Sequence, residues 1–176
     1  MREGFISKIN ILLPKLEIGS IVLVLAGFLL LYFGNPSGKT VLMIGMSILA
    51  GVFYLNAFTP LPAATGQEYP AEIKSEKPKG FLSFFITIVW KVIHISSAIG
   101  VIGLLFYFLK LPGYGVQLLI AAVTLGVSLF ISIVMIAMNN KNLEILKPAL
   151  LKSTFLLLLS LYILYNNWPL PQYPPS

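Results

Sequence analysis

Five apolar runs, each close to or beyond the roughly 18 residues a helix needs to cross about 30 Å of hydrocarbon, constrain this chain more than any other feature. They extend from about Pro14 to Phe33, Thr40 to Phe58, Phe81 to Leu109, Gly115 to Met138 and Pro148 to Tyr165. Between them lie "GNPSG", the long "TPLPAATGQEYPAEIKSEKPKG", the tight "KLPGYG" and "NNKNLEILK", each with the Gly, Pro or Asn that ends a helix. The pattern predicts an all-α fold, a polytopic membrane helical bundle of five transmembrane helices. Composition agrees. Of 176 residues, 57% are apolar and 10% charged, against roughly 45–50% and about 25% in soluble domains. The run after Asn10 is too long for a signal-peptide core and lacks a small-residue cleavage site, so the first span is expected to be retained.

Orientation follows from the cations. With five spans, the N-terminus and the second and fourth connections share one side. That side holds Arg2, Lys8, Lys15, Lys74, Lys77, Lys79, Lys141 and Lys147, with Lys91 and Lys152 just inside the following helices; the other side holds only Lys39 and Lys110. Cations accumulate on the cytoplasmic side of membrane proteins. The expected topology is therefore a bacterial inner-membrane protein with a cytoplasmic N-terminus and a periplasmic C-terminus. The net charge of +6 then needs no nucleic acid, because its cations sit where anionic lipid head groups would be.

Sliding the chain by 76 residues aligns Gly4–Leu55 with Gly80–Ile131 without a gap, with 11 identities in 52 positions. They include Gly4/Gly80, Lys15/Lys91, Ser20/Ser96, Gly27/Gly103, Pro36/Pro112, Leu42/Leu118 and Leu49/Leu125. A third copy begins at "ILKPALLKST" (145–154), which echoes "ILLPKLEIGS" (11–20). The single membrane domain, 1–176, thus divides into a first hairpin repeat at 4–58, a cytoplasmic linker at 59–79, a second hairpin repeat at 80–138, and a half repeat with a Pro-rich tail at 145–176. An even number of spans separates the copies, so they are parallel repeats, unlike the inverted repeats of many secondary transporters.

Each copy opens ahead of its span. In "REGFISKINILLP" the apolar residues recur at helical spacing opposite Arg2, Glu3, Ser7, Lys8 and Asn10, which predicts an interfacial helix ending where Pro14 starts the first span. A frayed N-terminus is the alternative. Phe81 to Leu109 as one helix would be about 43 Å long, so a bend near Trp90 is expected.

The residues from Phe33 to Pro60, "FGNPSGKTVLMIGMSILAGVFYLNAFTP", carry a short outer turn at Pro36, the helix start Leu42 to Gly45 and the exit Asn56 to Pro60. In these features the stretch resembles the N-terminal membrane hairpin of the GldL gliding-motility family of Bacteroidota, and Lys110 to Gly126 echoes its turn and second helix. The resemblance implies a hairpin of that type in a Bacteroidota inner membrane. It does not imply motor function: the intramembrane glutamate of that family falls at Leu49 here, and at Leu125 in the second copy, and the family's large cytoplasmic region has no counterpart.

The chemistry left inside the spans is sparse. Glu3, Glu17, Glu68, Glu72, Glu76 and Glu144 all fall at or near the cytoplasmic face, whereas proton pumps and cation channels use intramembrane carboxylates or charged rings. One histidine and no cysteine leave no bis-histidine haem, disulfide or thiolate site. No nucleophile, base and orienting group can be assembled, so no catalytic residue, cofactor or metal is assigned. One intramembrane polar site remains, in "WKVIHISSAIG": His94 with Lys91, Ser96, Ser97 and Glu17. Lys91 and Ser96 belong to the repeat template, where the lysine snorkels to head groups and can pair with Glu17 at similar depth. His94 replaces Ile18 of the template, and is read either as a hydrogen bond to a neighbouring helix or as a ligand or proton site.

Small residues recur at close-packing spacing: Ser96, Gly100 and Gly103 in the third span, Ser47 and Gly51 in the second, Ala122 and Gly126 in the fourth. They serve packing within the bundle or docking of another subunit. The tail "NNWPLPQYPPS", with Trp168, Pro169 and Tyr173, suits either an extended partner-binding segment or a disordered end. The reading that joins these features is a non-catalytic accessory, assembly or scaffolding subunit of a larger envelope complex, with membrane lipids and other membrane-protein subunits as partners. The rival is a small transporter or lipid- or quinone-binding protein using Lys91 and His94.

Overall fold

A computed structural model describes residues 2–59, 81–137 and 147–167. Among them are five helices, each long and apolar enough to span a bilayer. They are α1 (Arg2–Tyr32), α2 (Ser37–Asn56), α3 (Phe81–Phe108), α4 (Tyr114–Ala137) and α5 (Lys147–Asn166). The chain is a multi-pass membrane protein.

Where the described turns begin and end is set by local chemistry. α1 stops because Gly34 takes a left-handed conformation (φ 73°), which lets its N–H reach Leu31 O at 3.0 Å and the Asn35 N–H reach Leu30 O at 2.9 Å. These two bonds close the helix end and satisfy carbonyls that would otherwise have no partner. Asn35 Oδ1 then accepts from Ser37 N at 3.0 Å, and Pro36, with its fixed φ, leads into α2. The same closure ends α3, 76 residues later. Lys110 is left-handed (φ 57°), its N–H bonds Tyr107 O at 3.1 Å, and the Leu111 N–H bonds Phe106 O at 2.8 Å.

α1 is not divided as the sequence predicts. It runs unbroken from Arg2 with Pro14 inside it, so the proposed interfacial segment and the first span are one helix. A proline forfeits a single i to i−4 bond, and the helix carries through that loss. α3 likewise continues past Trp90 as one helix of 28 residues, about 42 Å at the usual rise. The linker 59–79, apart from Thr59, lies outside the described residues.

α1 packs on α2, α2 on α3, α3 on both α4 and α5, and α4 on α5. α3 is therefore the centre of the bundle: 61% of its membrane window is buried, against 11% for α1. Glycines set how closely the hairpins pack. A Cβ placed on Gly27 would sit 2.7 Å from Leu42 N, and one on Gly103 would sit 2.9 Å from Leu118 Cδ2. Leu42 and Leu118 are fully buried at these crossings. Around them Met46, Ala50, Val101, Leu104, Ala122 and Leu125 form the main core. A second cluster, Ile86, Val89, Ile93, Leu129, Ala149 and Leu150, joins α3, α4 and α5 nearer the N-terminal end. Large apolar side chains such as Val22, Leu25, Phe130 and Phe155 point outward, where hydrocarbon replaces water as the solvent.

Candidate functional site: a polar cluster at one end of the bundle

A cluster that brings an acid, a base and the histidine together from several helices lies at the N-terminal end of the bundle. α3 supplies Trp90 and His94, one turn apart and so on one face. The Trp90 indole N–H donates across to Asn56 O on α2 at 3.1 Å. Asn56 stands at the end of α2, where its carbonyl has no i+4 N–H within the helix; it accepts from Thr59 N at 3.3 Å and Thr59 Oγ1 at 2.8 Å as well as from the indole. His94 Nδ1 donates to Trp90 O at 2.9 Å; the carbonyl can only accept, so that nitrogen carries the proton. The His94 ring lies 4.2 Å from the Trp90 ring and 6.5 Å from Phe53 of α2. It is only 7% exposed.

Beside it, Glu17 of α1 pairs with Lys152 of α5. The glutamate side chain is 12% exposed and the lysine 52%, so the pair has one foot in the bundle and one at its surface. Joining α1 to α5 in this way links the most peripheral helix to the last one. The sequence expectation that Lys91 partners Glu17 is corrected here: Lys91 is exposed, and the carboxylate takes Lys152 instead. Neighbouring helix faces decide such a pair. Lys91 follows Trp90, whose side is committed to α2, and so turns outward, whereas Lys152 enters at the depth of Glu17. The tightness of the polar cluster comes from Trp90, Asn56 and Lys152, none of which the sequence analysis assigned to it. Lys152 carried a signal, since it occupies the repeat position held by Ile18 and His94.

The hydroxyls nearby are largely committed to their own helices. Ser20 Oγ donates to Glu17 O, Ser153 to Leu150 O, Ser160 to Leu156 O, and Ser128 and Ser132 to the carbonyls one turn before them. Ser96 and Ser97 are buried, at 3% exposure each. Of the small residues, Gly100 faces Leu156 of α5 and Ala121 of α4, Gly103 faces Leu118, and Ala122 is buried; these pack the bundle. Ser47 and Gly51 are exposed on α2, with nothing within 4 Å of a Cβ at Gly51. Gly126 also has open space. Leu125 is fully buried and Leu49 half-buried against the core, so the two positions suggested for an intramembrane acid are packing positions. Trp168, Pro169 and Tyr173 lie outside the described residues. Among those described, no three His, Cys, Asp or Glu side chains come together.

Comparison with family models, with curated proteins and with solved structures finds no match to the chain.

Proposed function

We propose that this multi-pass protein is a non-catalytic accessory or scaffolding subunit of a larger complex in a bacterial inner membrane, with its N-terminus in the cytoplasm. The observation that carries this reading is how the polar groups of the spans are used. Glu17 is neutralised by Lys152, His94 is packed under Trp90 and Phe53, and the hydroxyls of Ser20, Ser128, Ser132, Ser153 and Ser160 bond within their own helices. Groups spent in this way hold helices together and leave little to carry a substrate or proton. The outward Ser47 and Gly51 pair adds a face on α2 where another helix backbone could approach closely. Two parallel hairpin copies fit the same picture. The left-handed turns at Gly34 and Lys110 and the Gly–Leu crossings at Gly27/Leu42 and Gly103/Leu118 recur 76 residues apart, as a duplicated hairpin would. The likeness to the GldL family extends in this reading to the hairpin type and to a Bacteroidota source, and not to motor activity. The transporter or quinone reading needs Lys91 and His94 to face one site, whereas Lys91 is exposed and His94 buried.

Affinity purification from native membranes followed by mass spectrometry tests the proposal. A reproducible membrane subunit should co-purify, and Gly51→Leu should release it without destabilising the isolated protein, because the added side chain meets open space. A stable monomer with no companion, or retrieval indifferent to Gly51→Leu, would count against this reading and this docking face respectively.

A further inference from the structure

At the opposite end of the bundle the turn between α3 and α4 and the end of α5 enclose an open hollow of about 620 Å³. Its wall is two-sided. Lys110, Tyr107, Tyr114 and Asn167 bring a cation and side chains capable of hydrogen bonding to its lining, while Phe108, Leu111 and Pro112 are its apolar residues. The aromatic part is stiff: the Tyr107 and Tyr114 rings lie 5.4 Å apart, and Phe108 packs edge-on against Phe28 of α1 at 4.7 Å. Asn167 gives one amide hydrogen to Ile163 O at 2.8 Å, which fixes its side chain at the rim of the hollow.

Three facts concern the lysine. First, the repeat places glycine at this turn, Gly34, and Lys110 adopts the same left-handed backbone with a full side chain, a conformation that L-residues with a Cβ disfavour. Second, the two side-chain carboxylates among the described residues, Glu3 and Glu17, both belong to the first half of α1, at the other end of the bundle. Third, Lys39, the other cation on this side, does not line the hollow. The protein thus holds a cation at some backbone cost, beside two tyrosines, at an end of the bundle where no side-chain carboxylate lies among the described residues.

We propose that this hollow binds the phosphoryl group of a membrane phospholipid, with Lys110 and the two phenols on the phosphate oxygens and the acyl portion against Phe108 and Pro112. A lysine ammonium and phenol O–H groups give charge-assisted bonds to such an anion, and basic pockets between membrane helices are suited to head groups. A free phosphate ion would use the polar wall and leave the apolar one idle, which favours the lipid as the source.

Native mass spectrometry of the purified full chain decides it, titrating phosphatidylglycerol, diacylglycerol of the same chains, and inorganic phosphate. Phosphatidylglycerol should be retained by the parent protein and weakened about tenfold, the scale of one charge-assisted bond, in Lys110→Gly. Glycine accepts the left-handed turn freely, so that loss cannot be ascribed to unfolding. Lys110→Arg should retain binding, and Lys39→Gln should leave it unchanged. Equal retention of diacylglycerol, equal loss in Lys39→Gln, or displacement of the lipid by inorganic phosphate at matching concentration would each overturn the assignment.

Discussion

Gly27→Ala isolates the contact that sets the first hairpin. In this structure the added methyl would lie 2.7 Å from Leu42 N and 2.9 Å from Leu42 Cα. Both atoms are backbone, so no rotamer change relieves them, and α1 and α2 must move apart by several tenths of an ångström. Overpacking of this kind costs about 1–3 kcal/mol. Alanine is the better helix former by roughly 1 kcal/mol, so the net destabilisation should be on the order of 0–2 kcal/mol. Gly51→Ala makes the same chemical change on the neighbouring helix with nothing within 4 Å; only the propensity gain remains, and it should stabilise by up to about 1 kcal/mol. Gly103→Ala should fall between them, because its closest obstacles are the Cδ2 and Cγ atoms of Leu118 and only the third is backbone. Unfolding in mixed micelles with increasing denaturing detergent, followed by tryptophan fluorescence, gives all three. Comparing the same substitution at each site leaves packing as the variable. If Gly27→Ala proves as stable as Gly51→Ala, close approach at Leu42 is not what holds this hairpin.

Two further outcomes follow from the turns and from the link between α2 and α3. Lys110→Gly should stabilise the protein by about 1 kcal/mol and Gly34→Ala should destabilise it by a similar amount, since the two positions share a left-handed backbone; the same detergent titration reads both. Trp90→Phe keeps the ring but loses the donor to Asn56 O, and should cost about 1 kcal/mol while speeding hydrogen exchange at the end of α2.

How much of this was legible in the sequence depends on how local the cause was. Ends of the spans were, because Gly34, Pro36 and the Pro112–Gly113 pair act on their own turns, and the observed helices end close to where those residues demand. Gly27 and Gly103 could be singled out because the repeat pairs them, and Leu42 and Leu118 with them. Pro14 misled: a residue that favours a first helical turn is also tolerated within a helix, and only the continuous α1 chose between the two. Which cation meets Glu17 was not legible. Depth along a span can be counted from sequence, but Lys91 and Lys152 both sat at suitable depth, and rotation of each helix against its neighbours decided between them. The hollow at Lys110 was hidden for the same reason, since it joins the end of α5 to a turn more than fifty residues earlier. A basic residue standing where the repeat has glycine was the trace it left.

The polar cluster itself arose where the copies differ. At one repeat position stand Ile18, His94 and Lys152; at the position before it stand Glu17, Ile93 and Leu151. No copy contains the ion pair, which exists because α1 kept an acid and α5 a base. That makes it removable in a controlled way. Lys152→Ile alone restores the residue of the first copy but leaves the mostly buried Glu17 carboxylate without its partner, and should cost about 1–3 kcal/mol, below the full penalty of a buried pair because Lys152 is half exposed. Glu17→Leu combined with Lys152→Ile returns both positions to residues the other copies use, and replacing an ion pair by apolar groups is often neutral or stabilising. The double variant should therefore recover most of the lost stability, with Lys91→Gln as a control that changes nothing beyond about 0.5 kcal/mol. Strictly additive losses in this cycle would mean that Glu17 and Lys152 do not depend on each other, and the clasp between α1 and α5 would have to be sought elsewhere.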